Sequence, residues 1–172
     1  MKIFLSYASE QRNLADAVDL ALIAQGHDVF FDRDDLPPGG DYNGRIRSAI
    51  QASDGMIFLI SPQSVAQGSY ALTELKLARA KWRHPLGCVL PVLAAPTPYP
   101  DIPVFLKAVT VLEPEGDLVA ELAAEVARRP LGTRRPEIIP TLSAVGDELQ
   151  ANAPSLAASR FGRSSGRCTS WH

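Results

Sequence analysis

Five short apolar runs, spaced along the first three quarters of the chain, constrain its fold more than any other feature. They are Lys2 to Tyr7, Asp28 to Asp32, Met56 to Ile60, Cys88 to Leu93 and Val109 to Leu112. Each is rich in Val, Ile, Leu or Phe and largely lacks polar alternation. A strand with one wet face alternates, whereas a strand covered on both faces does not. These runs therefore read as parallel strands lying between two layers of helix.

The segments between them carry the helical period. Leu14, Val18, Ala21 and Leu22 line one face of a first helix, which Gly26 can close in a left-handed cap. Ile46, Ala49 and Ile50 mark a second, and Leu72, Leu75, Ala78, Arg79 and Trp82 trace a third. Leu118, Leu122 and Val126 recur every four residues on a last helix. Between the fourth and fifth runs, Pro96, Pro98, Pro100 and Pro103 exclude a long helix and leave a loop with at most one short turn. The alternation predicts an α/β fold, a flavodoxin-like doubly wound five-stranded parallel sheet with helices on both faces. The pattern fills residues 1–129. Beyond Pro130 it fades into Thr133-Arg134-Arg135-Pro136 and a Ser, Arg and Gly-rich end, so residues 130–172 read as a polar linker or disordered tail.

Composition removes several classes of function. A chain of 172 residues, 46% hydrophobic and 21% charged, suits one ordinary domain with a real core. Its net charge of -2 carries no footprint for direct nucleic-acid binding or an anionic membrane. Residues 1–129 hold 12 basic and 16 acidic side chains, and the tail's five arginines, scattered among serines, read as a solvated linker. Cys88 and Cys168 are too few for a disulfide framework, and Cys88 reads as a small core hydrophobe. With neither a cleavable signal nor a run long enough to span a membrane, the expected setting is cytoplasmic.

Familiar catalytic motifs are missing as well. Neither G-x-G-x-x-G nor a Walker loop follows the first strand, against a dinucleotide-redox or P-loop site. Gly162-Arg163-Ser164-Ser165-Gly166 has the form of a nucleophile elbow without the strand and helix that make one. His27, His84 and His172 share no metal-ligand spacing with the cysteines, so no metal is expected. Asp34 and Asp35 follow the second strand rather than the first and read as loop carboxylates.

In a doubly wound sheet the ligand crevice lies outside the carboxyl ends of the strands, where the strand order reverses. Here that places it beside the loops that begin at Tyr7-Ala8-Ser9 and at Ser61-Pro62. The loop after the second strand, Arg33 to Gly40, can reach over it. Glu74, on the helix after the third strand, has Tyr70, Ala71, Leu77 and Ala78 as its i±3 and i±4 neighbours. No Lys or Arg stands four residues away, unlike the usual solvated helical Glu. Such a carboxylate is expected to be partly desolvated, with its pKa raised, and it is the candidate for chemistry.

Four segments, in order, resemble a TIR domain of the bacterial type. Ile3-Phe4-Leu5-Ser6-Tyr7-Ala8-Ser9 is similar to the family's first-strand box, and Asp32, Leu36 and Gly39-Gly40 to the end of the second strand and the BB loop. Ser53-Asp54-Gly55-Met56-Ile57-Phe58-Leu59-Ile60-Ser61-Pro62 resembles the third strand and its exit. Ser69-Tyr70-Ala71-Leu72-Thr73-Glu74-Leu75 resembles the motif that carries the catalytic glutamate of enzymatic members. The resemblance covers residues 1 to about 129 and implies cleavage of NAD+ at the nicotinamide–ribose bond, with NAD+ as substrate and no cofactor.

By position, it makes Glu74 catalytic and Tyr7, Ala8, Ser9, Asp32, Tyr42, Ser61 and Tyr70 substrate-binding. Arg33, Asp34, Asp35, Leu36, Pro37, Pro38, Gly39 and Gly40 form the BB loop of TIR–TIR assembly. Tyr70 stands where the family usually has Trp, and Ala8-Ser9 replaces basic residues found there in some members, leaving Arg33 or Arg45 to contact phosphate. The implied role is an antiphage or cell-suicide effector, activated by self-association and triggered by a sensor domain or partner. Two other classes compete with it. One is a non-catalytic TIR–TIR interaction module; the other is a nucleoside deoxyribosyltransferase-like enzyme, which the opening Leu5-Ser6-Tyr7-Ala8-Ser9 fits poorly.

Overall fold

The central strands explain the layering. A computed structural model describes residues 1–31 and 42–132 of the chain. In it, β1 (Lys2–Ser6) pairs in parallel with β2 (Asp28–Phe30) on one side and β3 (Gly55–Ile60) on the other. β4 (Val89–Leu93) extends the sheet beyond β3, in the order β2-β1-β3-β4. All six residues of β3 are buried, so both of its faces need a cover.

Helices supply that cover on each side. Phe4, Met56, Phe58 and Ile60 face one core, under α2 (Tyr42–Ala52), α3 (Tyr70–Lys81) and the single turn α4 (Val104–Lys107). Ile3, Leu5, Ile57 and Leu59 face the other, under α1 (Arg12–Ala24) and α5 (Leu118–Arg128). Successive strand residues thus enter different cores, which is why the runs show no polar alternation. α1 closes as its glycine predicts. Gly26 has φ +81, its amide donates to Ile23 O and that of His27 to Leu22 O, a paired C-terminal cap. The proline-rich connection holds two short helical pieces, a 3-10 turn at Tyr99–Asp101 and α4, where at most one turn was expected.

The expected fifth strand is a correction: among the described residues the sheet has four strands, and the run Val109 to Leu112 contributes one parallel bridge, Val92 to Leu112. Leu112 N donates to Pro91 O, and Leu93 N donates to Leu112 O, both at 2.8 Å. Extending this ladder backward would need an amide on residue 91, and extending it forward would need one on residue 114. Both positions are proline, so the pairing stops after one bridge. β2 is also shorter than its run, ending at Phe30, and Asp32 lies outside the described residues.

The C-terminus of α2 is tied to α3 by a single ammonium. Lys81 Nζ donates to the carbonyls of Ile50 and Gln51, both at 2.9 Å, and to that of Ser53, while Ser53 Oγ donates to Ala49 O at 2.8 Å. The last carbonyls of a helix lack an i+4 amide. Although Ile50 O also accepts from Ser53 N at 3.3 Å, a cation there supplies further donors and suits the helix dipole. Burial lowers the Lys81 pKa, against the pull of Asp54 and Cys88. Lys81→Met should destabilise the domain by about 2 kcal/mol, the scale of hydrogen bonds to a charged donor. Urea unfolding checks this, and an unchanged midpoint would mean that the ammonium does not hold the two helices.

His27 gives the fold a pH dependence. Among the described residues its Nδ1 is buried without a hydrogen-bond partner, and burial, then the N-terminal ammonium, lowers its pKa from 6.5. Above 6.5 the imidazole is neutral in folded and unfolded chains alike. As pH falls through 6.5 the unfolded chain takes up a proton that the folded one resists, so stability falls. The His27→Gln variant should show a shallower loss below pH 6.5 in urea unfolding than the parent chain.

Candidate active site

β1 and β3 lie side by side, yet the chain leaves them toward opposite edges of the sheet, β1 toward β2 and β3 toward β4. Their carboxyl ends therefore flank the reversal of strand order where crevices form. At the end of β1, Ser6 follows Phe4 by two residues and shares its face, under α2 and α3. Glu74 reaches this point from α3. Ser6 Oγ donates to Glu74 Oε2 at 2.6 Å, with Ser6 fully buried and Glu74 only 3% exposed.

Glu74 is desolvated, as its neighbours predict, but the apolar trace expected for its helix is a correction. The buried stripe of α3 is Ala71, Glu74, Leu75 and Ala78, with Leu72 and Trp82 half-buried and Arg79 exposed. This is an ordinary i, i+3, i+4, i+7 core stripe with a carboxylate at one of its positions. Burying a carboxylate is unfavourable unless hydrogen bonds replace its water. Desolvation opposes the anion, and the donated Ser6 hydroxyl favours it.

A chain of serines fixes where α3 begins. At the end of β3, Ser61 N donates to Ser64 Oγ at 2.8 Å and Ser64 N to Ser61 Oγ at 3.1 Å. Ser64 O in turn accepts from Ser69 Oγ at 2.7 Å, and Ser69 caps α3 by accepting from Leu72 N at 3.1 Å. The exit of β3 thus carries its position through two buried serines to the helix start. Glu74 stands four residues beyond Tyr70, the first residue of α3.

The expected substrate contacts divide by location. Tyr70 is 63% exposed at the first turn of α3, one turn before Glu74. Ser61 is buried and engaged with Ser64, so its hydroxyl shapes the loop. Tyr7 is buried on the opposite face of the sheet from Ser6, edge-on to Phe31 at 6.0 Å between ring centroids. Ala8 is buried and its carbonyl accepts from Gln11 N, while Ser9 is exposed. Asp32 and the segment Arg33, Asp34, Asp35, Leu36, Pro37, Pro38, Gly39, Gly40 lie outside the described residues, as does the side chain of Tyr42. Arg45 is exposed on α2.

Ser6 was missed as a site residue, although the signal was present. A serine two residues after Phe4, at the end of an apolar strand, sits on the face that α3 must cover. Among the described residues, no group of His, Cys, Asp and Glu could hold a metal, and no helix is long and apolar enough to cross a membrane.

Removing the cap tests how α3 is positioned. Ser69→Ala should lower stability by about 1 kcal/mol and speed hydrogen exchange at the Leu72 amide. Unchanged exchange at Leu72 would mean that Ser69 does not anchor the helix carrying Glu74.

A family model described as TIR domain matches residues 3–118. No curated protein matches the sequence. Among solved structures, the chain is similar to the TIR domain of the Toll-related receptor TRR-2 from Hydra magnipapillata, at 22% identity and a TM-score of 0.56, covering 74% of this chain and 94% of that one. It is also similar to a metazoan TIR-STING receptor from C. gigas solved with 2',3'-cGAMP, at 22% identity and a TM-score of 0.58. That match covers 72% of this chain but 38% of the receptor, so the likeness reaches only the smaller part of it. At such identities the likeness is one of fold. The family match runs from the first strand to the start of the last helix, and the chain belongs to the TIR domain family.

Proposed function

We propose that this TIR domain is an NAD+ glycohydrolase, able also to form a cyclic product, with Glu74 as its catalytic residue. One observation carries the reading. A carboxylate occupies the core stripe of α3, is paired with Ser6, and lies at the reversal of strand order. A merely structural role would be met more cheaply by an apolar residue.

The chemistry needs little beyond such a group. The bond between ribosyl C1' and the pyridinium nitrogen breaks, and its electron pair neutralises the departing nicotinamide. Glu74 holds the ribosyl hydroxyls and stabilises the oxocarbenium-like charge left behind. Water then adds to C1' and loses a proton, giving ADP-ribose; attack by a group of the same molecule gives the cyclic product instead. Tyr70 packs on the base or ribose, and Tyr7, Ala8, Ser9, Ser61, Asp32 and Tyr42 shape the rest of the crevice. Activity follows TIR–TIR assembly through the Arg33–Gly40 segment, triggered by a sensor domain or partner, and NAD+ loss makes the protein an antiphage or cell-suicide effector in the cytoplasm.

A second reading, the non-catalytic TIR–TIR module, draws on exposed apolar side chains, Leu20 and Ile23 on α1 and Val104 on α4. One experiment separates the two. The protein is clustered on beads, supplied with NAD+ and compared with its Glu74→Gln variant. Nicotinamide release that falls at least about 100-fold in the variant supports the enzyme. Equal release by both proteins, or none under any clustering condition, would sink it. Release of free base from deoxynucleosides would point instead to a deoxyribosyltransferase-like activity.

A further inference from the structure

The contact between Ser6 and Glu74 has the geometry of a charge-assisted bond. At 2.6 Å it falls in the range of a hydroxyl donating to a carboxylate. Ser6 is fully buried, and Glu74 nearly so. Water is therefore a poor substitute for either partner. The backbone of β1 fixes the serine through parallel pairing on the β3 side, with Ser6 opposite Phe58. The donor is held by the sheet while its acceptor is held by a capped helix.

We propose that Ser6 is the positioning residue of this site: its hydroxyl, donated to Oε2, holds the Glu74 carboxylate in one rotation and in its anionic form. The inference rests on the catalytic reading of Glu74 and adds what keeps that group competent. An ionised carboxylate only accepts hydrogen bonds, whereas a protonated one must also donate. A glutamic acid at this position would lack the negative charge that stabilises the cationic ribosyl centre. The titratable groups on the elements packed around Glu74 are Tyr42, whose side chain lies outside the described residues, and the exposed Arg45 and Arg47 on α2, and Tyr70, Lys76, Arg79 and Lys81 on α3. Lys2 stands at the far end of β1, and β3 carries none. Arg79 is exposed and Lys81 is engaged with the end of α2, while the buried Ser6 hydroxyl donates directly to the carboxylate.

The test uses the full chain with selectively 13C-labelled glutamate, as parent, Ser6→Ala and Ser6→Thr. In Ser6→Ala the Glu74 carboxyl should titrate at higher pH by NMR, and Ser6→Thr should return it toward the parent value. In the clustered assay, kcat of Ser6→Ala near neutral pH should fall about 10-fold or more, the scale of one charged hydrogen bond, with its acid limb moved to higher pH. KM should change less than kcat. An unmoved Glu74 titration overturns the proposal, as does a loss of activity that is the same at every pH. If Ser6→Ala does not fold, Ser6→Cys, a weak donor of similar size, takes its place with the same expected directions. A moved titration in a protein that never releases nicotinamide would sustain the role of Ser6 and fail the NAD+ reading alone.

Discussion

Six consecutive residues of β3 are shut away from water, and most of the architecture follows from that burial. An apolar strand hidden on both faces needs helices above and below, and a chain that supplies them in alternation builds a parallel sheet. The strands then end together at one edge of the layers, where the loops after β1 and β3 diverge. Glu74 is brought there from above. Ser61, Ser64 and Ser69 carry the exit of β3 into the first turn of α3, so the helix that holds the carboxylate begins at a place set by the sheet.

That carboxylate is the feature least explained by folding. On a stripe otherwise formed by Ala71, Leu75 and Ala78, an aliphatic side chain would pack without the desolvation that Glu74 suffers. Ser6 offsets part of that penalty with one short hydrogen bond. A buried ionisable group with a dedicated donor, at the reversal of strand order, is the arrangement expected of a site. Lys81 shows the opposite case. It too is desolvated, but its three carbonyl partners close the end of α2 and account for it structurally.

The layering, the order of elements and the position of Glu74 in the chain were legible because each depends on local pattern. The apolar runs located β1, β3 and β4 to within a residue, and Gly26 marked the end of α1 where its positive φ is found. The fifth run was misleading. Val109 to Leu112 has the composition of a strand, but a ladder also needs amides on facing residues, and Pro91 and Pro114 withhold them. Periodicity also placed the buried face of α3 slightly wrong, since Leu72, Arg79 and Trp82 follow the helical period yet stand half-buried or exposed, whereas the small and apolar neighbours of Glu74 did mark that carboxylate for desolvation. Tyr7 and Ser6 are neighbours in one motif, yet strand alternation sends them to opposite cores.

Local sequence alone therefore determined which segments become strands and helices, that the sheet is parallel and covered on both faces, and which carboxylate lacks the charged neighbours of a surface residue. These depend on side chains within a few positions of one another. Tertiary structure decided the partner of that carboxylate, because Ser6 and Glu74 are far apart in the chain and meet only when α3 lies over β1. It likewise decided that the fifth run stops at a single bridge, a matter of which backbone groups face each other across two strands. Hydrogen bonds between distant segments are set by register, and register exists only once the layers have packed.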